Sequence, residues 1–364
     1  MKTWQDNPFK FGTVVEGEYF TDRTEELKIV KSILHSENHL VLISPRRYGK
    51  TSLVLKAAKE TSRPLLFLNL ESVTDKKDFA VTLLKKLLAL YPFEKLKFLL
   101  KNFRFVPTLS MSALGDSFDI SFITKTDDNV ILEDVFALMS KISDKENKLI
   151  VVFDEFQQVD EIDKNLSKLL RSIMQLQQNI NFVMLGSQES MMRTIFEKKK
   201  SPFYHFAELL TLKKIPREDF YLYLQNRLSL FEDKYNIEDI TEKILDFTDC
   251  HPYYTQKLAF NIWELLKDEM ASDDIVQTAI DYSNEIHDMD YERLWSSFKN
   301  TDKKVLKYLS VSRNTQQDYS NIGIPTSTVF SSLKRMAQSG ILIKENRYEI
   351  DDPFFAVWIK KILV

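Results

Sequence analysis

The apolar run His39-Leu-Val-Leu-Ile-Ser44 leads straight into Pro45-Arg46-Arg47-Tyr48-Gly49-Lys50-Thr51. An apolar run with no polar alternation suits a strand covered on both faces. Pro45 and Gly49 then break the strand, and from Lys50 the pattern is helical. Glycine is scarce, 7 in the whole chain, so one placed inside a patterned loop is informative. Strand, loop and helix in this order aim backbone N–H groups and a helix N-terminus at one point, which suits an anion. The segment fits G-x-x-x-x-G-K-[ST] at every defined position but the first, where Ser44 replaces Gly. A small residue makes that turn if its φ is negative. In such a loop residues 44–52, Ser44, Pro45, Arg46, Arg47, Tyr48, Gly49, Lys50, Thr51 and Ser52, surround the phosphates. Lys50 reaches the β- and γ-phosphates, Thr51 coordinates Mg²⁺, and Gly49 lets the backbone come close.

Further apolar runs follow at 64–70, 149–153, 180–186 and 206–213, alternating with helical patterns at 77–91 and about 162–178. That alternation predicts a parallel sheet with helices on both faces. Residues 103–124 alternate polar and apolar around Gly115 and read as an inserted β-hairpin. From Pro216 the strands stop, and 216–298 reads as consecutive helices. The last segment, 299–364, has helices near 301–310 and 326–338, then two strand-like pieces. At roughly 150 residues per domain, 364 residues allow two or three domains. The expected division is a core over 1–215, a helical lid over 216–298 and a winged helix over 299–364.

Composition narrows the function classes. Fifty Lys and Arg stand against 53 Asp and Glu, a net charge of -3, so any nucleic-acid contact must come from a local patch. A single cysteine, Cys250, excludes an internal disulfide and a cysteine metal cluster, and fits a reducing compartment. No segment approaches the roughly 20 apolar residues of a membrane span, and the polar start has no secretory h-region. A cytoplasmic location is the expectation.

Phosphate chemistry also needs a metal-holding acid at the end of a neighbouring strand. Leu149-Ile-Val-Val-Phe-Asp154-Glu155 supplies one. Asp154 would join Thr51 in holding Mg²⁺, and Glu155 is suited to polarise an attacking water. The strand 180–186 ends in Gly186-Ser187-Gln188, where Ser187 or Gln188 could meet the γ-phosphate or the lytic water, or simply form a turn capping the helix from Glu189.

Taken together these motifs resemble the archaeal-type ATPase family, a branch of the P-loop ATPases near the STAND and AAA+ groups. Phe20-Thr-Asp-Arg23-Thr-Glu-Glu-Leu27 resembles its F-x-x-R-x-x-E-L box, which the family places beside the adenine. Asp22 with Glu25 also reads as a capping box, and the two roles are compatible. Pro45–Ser52 resembles the family's P-R-R-x-G-K-T-S, Asp154-Glu155-Phe156-Gln157 its D-E-F-Q, and Gly186-Ser187 its G-S. His251-Pro252-Tyr-Tyr-Thr-Gln256 resembles its H-P-Y-Y-x-Q, with Pro252 near the base; read bare, it is a helix start with core aromatics. The chain departs from the family at Pro202-Phe-Tyr-His-Phe206, where P-L-Y-G-R is usual. The arginine is missing, and spacing selects no substitute among Arg46, Arg47, Arg193 and Arg217.

Residues 299–364 carry eleven basic against six acidic side chains, a local excess of five. In the helix 326–338, Val329, Leu333 and Met336 form a buried stripe while Thr328, Ser331, Ser332 and Arg335 point away. An exposed face of this kind suits phosphate contacts, and equally a protein partner. The resulting expectation is an α/β P-loop NTPase with a helical lid and a winged helix. It would hydrolyse ATP to ADP with Mg²⁺ by direct attack of water, as a switch or remodeller coupled to DNA through 299–364. The alternatives are a STAND-type switch with protein partners or copies of itself, or a nucleotide-stabilised scaffold with little turnover.

Overall fold

The computed structural model describes residues 6–101, 103–104, 107–111, 118–121, 127–269, 274–311, 318–344 and 346–363. In chain order the strands are β1 (Leu40–Ile43), β2 (Leu65–Asn69), β3 (Thr108–Met111), β4 (Phe118–Ser121), β5 (Leu149–Asp154), β6 (Ile180–Gly186), β7 (Glu208–Thr211), β8 (Leu342–Lys344) and β9 (Tyr348–Ile350). Five form one sheet in the order β2-β5-β6-β1-β7. Its four pairings are all parallel. This is the expected α/β P-loop fold. The acid-bearing β5 is not, however, a neighbour of the loop-bearing β1: β6 lies between them. Adjacency in a sheet is a topological fact that no local pattern encodes.

The chain forms two compact units. The sheet unit comprises Thr24–Ser44 and Lys50–Leu212, and the helical unit comprises Met1–Arg23, Pro45–Gly49 and Lys213–Val364. In the sheet unit, alternate strand residues such as Val41, Leu68, Val151, Phe153 and Phe182 enter one core with Phe79 and Phe136. Phe153 and Phe182 stack at 6.3 Å. Leu40, Leu42, Val152 and Val183 on the opposite face are equally buried, which is why β1, β5 and β6 read as unbroken apolar runs. β3 and β4 form an antiparallel hairpin from Thr108↔Ser121 to Met111↔Phe118; Gly115 lies outside the described residues.

Helices Phe93–Leu100 and Asp128–Ile142 go beyond the sequence expectations. The second starts at an Asp127 N-cap and buries Ile131, Leu132, Val135, Phe136 and Met139. The helix expected over 162–178 is two, Val159–Ile162 and Leu166–Met174. In the helical unit one core runs from Phe9 through Phe220 and Trp263 to Leu333 and Phe354.

Gly186 closes β6, and a Cβ there would overlap the side chain of Met192, itself fully buried. Gly186→Ala should therefore cost about 1–3 kcal/mol through overpacking. Combined with Met192→Ala it should cost less than the two single changes added together. A double-mutant cycle by denaturant unfolding checks this; simple additivity would refute the close approach.

Candidate functional site

In the sheet unit, β1, β5 and β6 end at the same edge because they run parallel, and each delivers candidate residues there. Ser44 follows β1, fully buried, and its N–H donates to the Gly186 carbonyl at 3.3 Å. Lys50 opens the helix Lys50–Thr61 and is 6% exposed. Its Nζ donates to the Ser44 carbonyl at 2.8 Å. Thr51 Oγ1 donates to Asp154 Oδ2 at 3.4 Å, although β6 separates their strands. Ser52 is buried one residue on.

Asp154 ends β5, and its Oδ1 accepts the Glu155 N–H at 3.0 Å. Glu155 has left-handed backbone, φ 52° and ψ 46°, which swings its side chain off the strand direction. Glu155 Oε2 accepts from Ser187 Oγ at 2.6 Å and from Gln157 Nε2. Gln157 is the residue that motif reasoning left without a role; it is buried, and its Oε1 has no hydrogen-bond partner. The sequence carries no signal for this, because the contact depends on the left-handed backbone at Glu155. Gln188 starts the helix Glu189–Glu197 without a side-chain capping bond.

In the helical unit lie Pro45–Gly49, Phe20, Arg23 and Pro252. Arg47 and Gly49 have positive φ, 67° and 88°. Ser44 does not, so the missing first glycine is accommodated as expected. A Cβ at Gly49 would meet nothing within 4 Å, so its glycine serves the backbone angle rather than a tight approach. Arg47 Nη1 donates to Tyr254 Oη at 3.1 Å, and its guanidinium lies 4.6 Å from the Tyr253 ring. Tyr48 is buried with its ring 4.8 Å from His251. Arg46 is exposed. Arg23, also left-handed, donates to the carbonyls of Lys213 at 2.6 Å and Tyr48 at 3.4 Å. Its guanidinium thus braces the loop backbone. Half-buried Phe20 donates its N–H to Gly17. Pro252 is the first residue of the helix Pro252–Lys267. Gln256 donates to Tyr223 Oη and Thr21 Oγ1, a packing role.

Residues 20–258 match the model of an ATPase domain family found predominantly in Archaea. The chain belongs to this archaeal ATPase family. Among solved structures, the Walker-type ATPase PABY2304 of Pyrococcus abyssi covers 94% of this chain and 97% of its own at 18% identity, with a TM-score of 0.67. The Aeropyrum pernix ORC2 protein, solved in ADPNP–ADP complexes, covers 98% of both chains at 15% identity and a TM-score of 0.55. The Aeropyrum pernix ORC1 protein, solved with DNA, covers 93% of this chain and 92% of its own at 12% identity and a TM-score of 0.51. At such identities the likeness establishes the fold. No curated protein matches the chain.

Two of the arginines left as substitutes for the family's missing one are occupied in this ATPase. Arg193 sits between Glu189 and Glu197, and Arg217 between Glu242 and Asp246. Ser332 does not point away from its helix as expected: it is 1% exposed. Arg335 is exposed but bonds to Asp302 Oδ1 and Ser332 Oγ. Among the described residues no helix is long and apolar enough to cross a membrane.

Burial, and after it the charge of Glu155, lift the Asp154 carboxyl above its usual range, against the Glu155 N–H, Lys50 and Thr51. A carboxyl whose folded pKa is raised holds its proton more tightly when folded. Stability then falls as pH rises through that interval, and the full cost is present at neutral pH. Asp154→Asn should therefore unfold no earlier than wild type at pH 7, with its advantage shrinking as the pH drops toward about 4. Thermal unfolding across that range checks it. An Asn variant less stable than wild type at every pH would refute the assignment.

Proposed function

We propose that this ATPase binds ATP on the loop 44–52 and hydrolyses it with Mg²⁺, working as a nucleotide-driven switch. The observation that carries the reading is the cluster in the sheet unit: Lys50, Thr51, Asp154, Glu155 and Ser187, gathered at one edge of the sheet. The Thr51 hydroxyl and Asp154 carboxylate are hard oxygen donors and would hold Mg²⁺. When bound, the ion would supply positive charge beside the phosphate oxygens. Lys50 exchanges the Ser44 carbonyl for β- and γ-phosphate oxygens. Glu155 orients the attacking water and accepts its proton. Ser187 holds Glu155 in place through its hydroxyl and would contact the γ-phosphate or the attacking water. Phe20, Arg23 and Pro252 border the base.

A winged helix is the best reading of the final segment: helices Asn300–Val311 and Thr326–Gln338, the β8–β9 hairpin, then helix Pro353–Lys361. The local basic excess supports coupling to DNA, as does the likeness to ORC1, a protein solved on DNA. A protein partner for the same face is favoured by a different observation. Arg335 is tied to Asp302, while Phe330 on that helix is 50% exposed. A cytoplasmic location fits either reading.

Lys50→Ala should weaken ATP binding and abolish turnover with the fold intact. Glu155→Gln should still bind ATP while turnover falls by about 10²-fold or more, the scale of losing a positioned base. Calorimetry and single-turnover hydrolysis separate the two. Unchanged hydrolysis in Glu155→Gln would make Glu155 a helix-capping acid, and a wild type without Mg²⁺-dependent turnover, with or without DNA, would leave a nucleotide-stabilised scaffold.

If the segment meets DNA, Lys334→Ala should lower affinity for all sequences and reduce the salt slope by about one unit. Arg335→Ala should act mainly on stability, by stranding buried Asp302. Absence of a mobility shift by wild type at low salt, with and without ATP, would move the assignment to the protein partner.

A further inference from the structure

Arg47 and Tyr48 of the phosphate loop are held by residues far from the loop in sequence, Tyr254 and His251. His251 caps the helix Pro252–Lys267: its Nδ1 accepts the N–H of Tyr253 at 3.2 Å and of Tyr254 at 3.5 Å. With that lone pair committed, the neutral imidazole carries its proton on Nε2. Nε2 is buried without a hydrogen-bond partner, and so is Asp351 Oδ1; the two atoms face each other at 3.4 Å. Buried polar atoms left with one another as neighbours are a high-stakes pair. The His251 ring abuts Tyr48 edge-on at 4.8 Å and Tyr254 at 4.5 Å, and Tyr254 holds Arg47.

Asp351 directly follows β9, and its own N–H closes the hairpin on the Ile341 carbonyl. The next residue, Asp352, caps the last helix and accepts from Tyr291 Oη. Burial, then the charges of Asp352 and Asp351, raise the Tyr254 hydroxyl above its usual range, while Arg47 opposes them. The C-terminal acids and the loop arginine thus act on one hydroxyl from opposite signs of charge.

We infer that Asp351 and His251 are a positioning pair through which the C-terminal segment sets the conformation of the phosphate loop at Arg47 and Tyr48. The inference rests on the proposed nucleotide site. Whatever occupies the C-terminal segment would then change nucleotide affinity, and nucleotide would change affinity for that occupant by the same factor.

Three variants of the full chain test this. Asp351→Ala removes the acceptor. His251→Asn keeps a good helix cap but is too short to reach Asp351. Asp351→Asn keeps an acceptor oxygen and should restore wild-type behaviour. The first two should weaken ATP binding by about fivefold or more, the low end of allosteric couplings, with kcat at saturation within about twofold of wild type. In nucleotide-free protein their amides at 46–50 should exchange faster with solvent. A role in helix capping alone would leave His251→Asn silent. Wild-type affinity and wild-type loop exchange in both Asp351→Ala and His251→Asn would overturn the proposal. A wild type that binds no ATP would overturn the nucleotide reading, and the exchange data would still decide whether the pair positions the loop.

Discussion

The side chain around which the sheet edge is arranged is Lys50. Its ammonium is nearly excluded from water at the first turn of a helix, where the backbone dipole already presents positive charge. Burial and dipole both oppose it. The Ser44 carbonyl at 2.8 Å offsets part of that cost only if strand end, loop and helix start keep a fixed geometry. β1 provides the fixed end: it is hydrogen-bonded on both sides and every residue is fully buried.

The carboxylates face the complementary difficulty. Asp154 is pushed toward its neutral form by burial and by Glu155, and a nearby positive charge would favour its ionised form. Backbone strain is concentrated in the same places. Among the described non-glycine residues with positive φ are Asp22, Arg23, Arg47, Glu155, Asp249 and Cys250. Each lies in or directly before one of the motif segments. Such residues persist only where surrounding packing over-determines them, and here Arg23 and Glu155 are each held by hydrogen bonds to more than one partner.

The parallel strands were legible because burial on both faces removes alternation, leaving runs such as Leu149–Phe153. The loop was legible because Gly49, Lys50 and Thr51 are chemically specific. Helix Asp128–Ile142 was not, since apolar residues nearly surround it and blur the one-sided periodicity that marks a surface helix. The interposition of β6 between β1 and β5, and the reach of Asp351 to His251 across 100 positions, are long-range facts with no local trace. Arg335 illustrates a third limit: helical phase places it outside the buried stripe, yet its head group turns back to Asp302.

The division of the chain has a consequence for its birth on the ribosome. Every residue of the sheet unit has been synthesised by Leu212, so that unit can close its core while the rest of the chain is still being made. The helical unit has no such option. Phe9 shares a core with Phe354 and Ile359, so that core cannot close until these later residues have been made. The loop segment Pro45–Gly49 belongs to this late unit although both its flanks belong to the early one. During synthesis the sheet unit can thus be complete before Pro45–Gly49 gains its partners Tyr254 and His251.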